Sequence, residues 1–117
     1  MALAIELDGE LAGDVSLHLR SVRAATRSAE VGWILRPQFM GRGLAAEAAE
    51  AMLKFAFDTV GVQIVFAEID ESNASSLALA KRFEFEIASI SGNTVTLTLT
   101  ERHFRTLSRS GKATAAR

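Results

Sequence analysis

A strand, a glycine-bearing turn and a helix follow one another between Ala29 and Thr59, and this succession limits what the chain can fold into more than any other stretch. Ala29–Leu35 reads as a strand. It is ended by Arg36-Pro37, because proline removes a backbone donor and biases its predecessor toward extended geometry. Gln38 to Ala45 carries Gly41 and Gly43. From there Ala45, Ala48, Ala49, Met52, Leu53 and Ala56 recur at helical spacing, with Glu47, Glu50, Lys54 and Asp58 mostly turned away. Gly61 ends the helix. Glycines at such a turn reach positive φ and offer backbone N–H groups at the first helical turn. With the helix dipole these donors suit an anion, and Arg42 adds a positive charge; the same glycines also serve a plain strand-to-helix turn. A Walker phosphate loop is excluded, since Leu44 and Ala45 stand where lysine and Ser/Thr are required. A dinucleotide fingerprint is excluded by the missing third glycine.

On either side of this centre the chain reads as hairpins. Leu3–Leu7, the turn Asp8-Gly9-Glu10 and Leu11–Arg20 form the first. In its second arm Val15, Leu17 and Leu19 point one way while Asp14, Ser16, His18 and Arg20 point the other, so His18 reads as a solvated strand residue. Ser21–Ser28 reads as a loop. Gln63–Ile69 is a further strand, and Asp70-Glu71-Ser72-Asn73 supplies caps for a second helix, Ala74–Arg82. Phe85–Ile90, the turn Ser91-Gly92-Asn93 and Thr94–Thr100 make the closing hairpin. The order β-β-β-α-β-α-β-β predicts an α+β fold with a mixed, mostly antiparallel sheet and two main helices.

Composition narrows the remaining choices. The 117 residues, 49% of them hydrophobic, suit one domain, read here as residues 1–100. Residues 1–100 hold eight Lys/Arg against thirteen Asp/Glu, a net of −5, whereas 101–117 holds five Lys/Arg and one acid. This basic segment, rich in Ser, Ala and Thr, reads as a solvated, partly disordered tail rather than a nucleic-acid contact. With no cysteine and two histidines the chain offers neither a disulfide framework nor a metal cage. No apolar run approaches the roughly 18 residues that span a bilayer. A basic leader is absent as well, and the chain reads as cytoplasmic with no membrane partner.

Gln38-x-x-Gly41-x-Gly43-x-Ala45 resembles the acetyl-CoA pyrophosphate motif of the GNAT-superfamily N-acetyltransferases. The flanking Glu30-Val31-Gly32-Trp33-Ile34-Leu35-Arg36-Pro37 and the later Asn73-x-x-Ser76 resemble the branch that acetylates protein N-termini, the ribosomal-protein-alanine N-acetyltransferases. The resemblance covers residues 29 to 85 most closely. It implies acetyl-CoA as cosubstrate, no metal, and a pyrophosphate held by Gln38, Gly41, Arg42, Gly43, Leu44 and Ala45. It further implies that the strand before the turn splays from its neighbour, so that Trp33, Ile34 and Leu35 border the pantetheine arm and one N–H faces the thioester oxygen. Trp33 also suits a core aromatic.

The same resemblance puts Glu30 forward as the base, with Glu68 as its alternative; a surface charge at a strand edge is the competing reading of Glu30. Asn73 and Ser76 match positions that approach the pantetheine and the sulfur, although Asn73 is equally a good helix N-cap. Superfamily members often protonate the departing thiolate with a tyrosine. The chain has none, which leaves Ser76 or water. Phe83-Glu84-Phe85 stands where Leu-Gly-Phe is usual, so a glutamate meets a site suited to left-handed glycine, at about 1 kcal/mol, and a reshaped turn is expected.

Against the family's usual domain the chain is short by roughly 50 residues at its start, where a strand and two helices form one wall of the acceptor site. Two functions follow. One is an N-acetyltransferase that moves an acetyl group to a primary amine, a peptide N-terminus or a small molecule, by direct attack. The other is a CoA-binding module or subunit with little catalysis of its own. A missing wall would expose apolar surface, so a homodimer is expected.

Overall fold

The computed structural model describes residues 2–7, 9–21, 27–35 and 43–110. Six strands form one sheet: β1 (Ala2–Leu7), β2 (Glu10–Ser21), β3 (Ser28–Leu35), β4 (Ile64–Asp70), β5 (Glu86–Ser91) and β6 (Thr94–Thr100). Their spatial order is β1-β2-β3-β4-β6-β5. Every neighbouring pair is antiparallel except β3 with β4. Parallel neighbours need a crossover, and helix α1 (Leu44–Lys54) with its π-helical continuation Phe55–Val60 supplies it. α2 (Ala74–Arg82) links β4 to β5, and α3 (Glu101–Ser110) follows β6. The mixed, mostly antiparallel α+β fold expected from the sequence is therefore present, with a third helix added.

Strand alternation sorts the sheet into two faces. Val15, Val31, Ala67 and Leu97 lie on one face and join a single buried cluster with Met52 and Leu53 of α1, Ala80 of α2, and Phe104 and Leu107 of α3. Asp14, Ser16, Glu30, Glu68 and Thr96 point to the other face and stay half-buried or exposed. The first helix departs from its expected regular course. At Phe55 it widens to π geometry, and both Ala56 and Phe57 turn inward before Gly61, at φ 83°, ends it.

Two local expectations need correction. The turn after α2 keeps the left-handed geometry a glycine would give, with Glu84 at φ 60°. Phe85 N–H donates to Ala80 O and Glu84 N–H to Lys81 O, the double bond pattern that closes a helix on a left-handed residue. Burial of Phe83 and Phe85 on both sides holds this backbone, and His103 Nε2 lies 2.9 Å from Glu84 Oε1. The second correction concerns the tail expected from residue 101. Its first ten residues are α3. Thr100 Oγ1 accepts the His103 N–H, Phe104 and Leu107 bury, and Phe104 packs against Phe57 with ring centroids 5.2 Å apart. Arg105 bridges Glu101 and Asp58, and both carboxylates raise its pKa above the ordinary value. A threonine cap, an acid in the first turn and an apolar pair three residues apart were the signals; the basic, small-residue composition obscured them. Residues 111–117 lie outside the described residues.

Candidate active-site cleft

β3 and β4 pair at only three positions, Ser28↔Ile64, Ala29↔Val65 and Glu30↔Phe66. Beyond Glu30 the two strands part company. β3 stays paired with β2 as far as Leu35↔Gly13, and β4 stays paired with β6 as far as Asp70↔Thr94. Each strand keeps its outer partner, so the backbone groups on the inner edges of both face a gap. The gap is a cleft of about 210 Å³. Val31, Gly32, Trp33 and Ile34 line one wall, with Asp14 and Ser16 of β2 behind them. Ala67, Glu68, Ile69 and Asp70 line the other, and Asn73 and Ser76 of the α2 start close one end.

A Cβ at Gly32 would lie 3.0 Å from Ser16 Oγ across the strand pair, a contact that the serine side chain would have to relieve by shifting a few tenths of an ångström. Asn73 caps α2, its Oδ1 accepting the Ser76 N–H and the Ser75 hydroxyl, each at 3.2 Å. That use occupies the oxygen and leaves the amide nitrogen for the cleft, so the cap and a cleft contact are compatible. Asp70 Oδ1 accepts from the Ser72 hydroxyl at 2.6 Å and from the Ser72 N–H at 2.9 Å. These bonds hold the Asp70 carboxyl below its ordinary value.

Of the residues singled out from the sequence, Trp33, Ile34, Glu68, Asn73 and Ser76 come together around the cleft. Leu35 ends β3 opposite Gly13. Glu30 sits at the closed vertex, the last residue of β3 paired to β4, directly across from His18 on β2 and half-buried. Gly43 adopts φ 76° at the N-terminus of α1, where its carbonyl accepts the Glu47 N–H, and Leu44 and Ala45 open the helix. Gln38, Gly41 and Arg42 lie outside the described residues. Asp14 and Ser16 were missed as cleft residues. Sequence showed them only as the polar side of a strand, and the register Asp14↔Ile34 and Ser16↔Gly32 is what carries them to the cleft.

A parallel strand pair that opens after three rungs, with the capped start of α2 at one end, leaves a cleft into which strand-edge backbone groups face. The Acetyltransferase (GNAT) domain family matches residues 1–86, and the chain belongs to that family. Among relatives, spermidine N(1)-acetyltransferase of Escherichia coli K12 is 28% identical over 83 residues, covering 71% of this chain and 44% of that protein. Human alpha/beta-tubulin-N-acetyltransferase 9 is 33% identical over 92 residues, covering 77% of this chain and again 44% of the relative. The chain thus spans less than half the length of these relatives. In fold it is similar to the Campylobacter jejuni N-acetyltransferase PseH solved in complex with acetyl coenzyme A, with TM-score 0.65 and 23% identity, covering 82% of this chain and 64% of that one.

Proposed function

We propose that the chain is an acetyl-CoA-dependent N-acetyltransferase that moves the acetyl group to a primary amine by direct attack, without a covalent enzyme intermediate. The observation that carries this reading is the three-rung pairing of β3 with β4 followed by their split. Acetyl-CoA, when bound, supplies the acetyl thioester. The residues present fit it: the strand edges of Val31–Leu35 and Ala67–Asp70 suit its amide groups, a left-handed glycine opening helix α1 suits its anionic end, and Asn73 lies at the cleft. A β3 backbone N–H stabilises the oxyanion that develops as the amine nitrogen bonds the carbonyl carbon. Glu30 takes the proton the ammonium must lose, with Glu68 as the alternative base, and Ser76 or water returns a proton to the departing thiolate.

The cleft lining also favours one kind of acceptor. Asp14, Glu68 and Asp70 are carboxylates, and no lysine or arginine accompanies them among the described lining residues. A cationic small amine suits such walls better than a peptide N-terminus followed by acidic residues. We further propose a homodimer formed through the β5 edge of the sheet, supported by the exposed Ile87 and Ile90 on that edge strand.

The test is a thiol-release assay with acetyl-CoA on a panel of small amines and N-terminal peptides, run with light scattering on the same sample. Glu30→Gln is expected to lower kcat about 100-fold, the scale of a general base, while acetyl-CoA affinity holds. An unchanged rate transfers the role to Glu68 or water. Tight acetyl-CoA binding with no turnover on any acceptor identifies instead a binding module, a reading that the lack of tyrosine supports. A fully active particle of 12.6 kDa removes the dimer.

A further inference from the structure

We propose that Trp33 is a positioning residue that holds the cleft open, its indole acting as a spacer braced against Phe85. The functional importance of that spacing rests on the reading of the cleft as the acetyl-CoA site. Beyond Glu30↔Phe66 the two strands have every means to continue pairing. Val31–Leu35 and Ala67–Asp70 are extended, contain no proline, and are each paired along the outer edge. Inner-edge donors and acceptors that face each other across a gap favour zipping, because each strand bond formed would also withdraw apolar neighbours from water. Something on the sheet must oppose it.

Trp33 is three residues past the last rung. Strand order puts β4 and β6 between β3 and β5, yet the Trp33 ring meets Phe85, the residue just before β5, edge to face at 6.1 Å and 81°. That contact passes on the helix side of β4. There the first residue of β4 beyond its last rung is Ala67, whose side chain is too small to fill the space. Phe85 is a firm brace, buried and tied by its N–H to Ala80 O at 3.0 Å. On the opposite side Met52 and Leu53 of α1 line a tight apolar crevice with Trp33. An indole clamped between α1 and Phe85 therefore occupies the helix side of the gap, and closing β3 onto β4 would require it to leave.

Hydrogen–deuterium exchange on the protein without cofactor, together with calorimetric titration of acetyl-CoA, tests the spacer. Trp33→Ala is expected to slow exchange of amides in Val31–Leu35 and Ala67–Asp70, as the strands zip, and to weaken acetyl-CoA binding about tenfold or more. Phe85→Leu acts in the same direction through loss of the brace. Trp33→Phe, which keeps an aromatic ring, restores most of both properties. A residue that only filled the core would instead speed exchange at these amides, and that outcome, or unchanged exchange, overturns the proposal. Should Trp33→Ala not fold, Phe85→Leu and Trp33→Phe carry the comparison. A wild-type protein that does not bind acetyl-CoA would overturn the cofactor reading alone, since the exchange comparison decides the spacer independently.

Discussion

One strand, β4, has two different sides. Toward β6 it pairs at seven positions, Ile64↔Thr100 through Asp70↔Thr94, and toward β3 at three. The residues are the same on both sides, so strand propensity cannot explain the difference. What differs is the neighbour. β6 follows β5 through a tight hairpin and presents Val95, Leu97 and Leu99 to the core opposite Ile69, Ala67 and Val65. β3 presents Trp33 three residues beyond the last rung, and that side chain is engaged with α1 and Phe85. A continuous ladder stabilises the fold, whereas an interrupted one leaves strand edges able to bond a ligand.

The division predicts that stability lies on the closed side and binding on the open side. Phe104→Ala removes the ring that packs on Phe57 under the closed half and is expected to cost about 3–5 kcal/mol, read by urea denaturation. Acetyl-CoA affinity should persist wherever the variant stays folded; a parallel loss of affinity would break the comparison. Gly43→Val forces a branched residue into the left-handed region at φ 76°, for about 1–2 kcal/mol. Here binding should suffer more than stability: calorimetry is expected to show acetyl-CoA affinity falling by far more than the change in melting temperature implies.

The smallest effect belongs to Asp70, on the rim of the cleft. Its folded pKa is lowered below the ordinary 3.8 by the Ser72 hydroxyl and N–H. The unfolded chain therefore binds the proton more readily. The carboxylate's contribution is full above the unfolded value and is lost as pH falls through the folded one. Ser72→Ala should lower thermal stability slightly at neutral pH and flatten its fall below about pH 4, so that the variant and wild-type profiles converge at the acid end. A profile that coincides with wild type would show that the exposed carboxylate gains nothing from Ser72.

Legibility of the sequence followed the range of the interaction. Asn73 was readable as a cap because the bond it makes reaches only to Ser76. The left-handed site at Glu84 was readable as a cost, but not as a retained turn, because its compensation comes from Phe83 and Phe85 burying in the core and from His103 in a distant helix. Helix α3 was hidden for a related reason. Most of its residues are polar, and it is a helix because Phe104 and Leu107 find a hydrophobic surface that no local pattern describes.

By itself the sequence determined the strand and helix segments of the core, the alternation that gives each strand a buried and an open face, and the glycine turn with its helix start. These rest on contacts within a few residues and on the periods of the backbone. Only the tertiary structure decided that β3 and β4 would pair for three rungs and then part, that Asp14 and Ser16 would stand beside Gly32 and Ile34, and that Trp33 would meet Phe85. Every residue but proline carries the same backbone donor and acceptor, so local sequence does not mark where a ladder ends; that is settled by how distant elements pack on each strand.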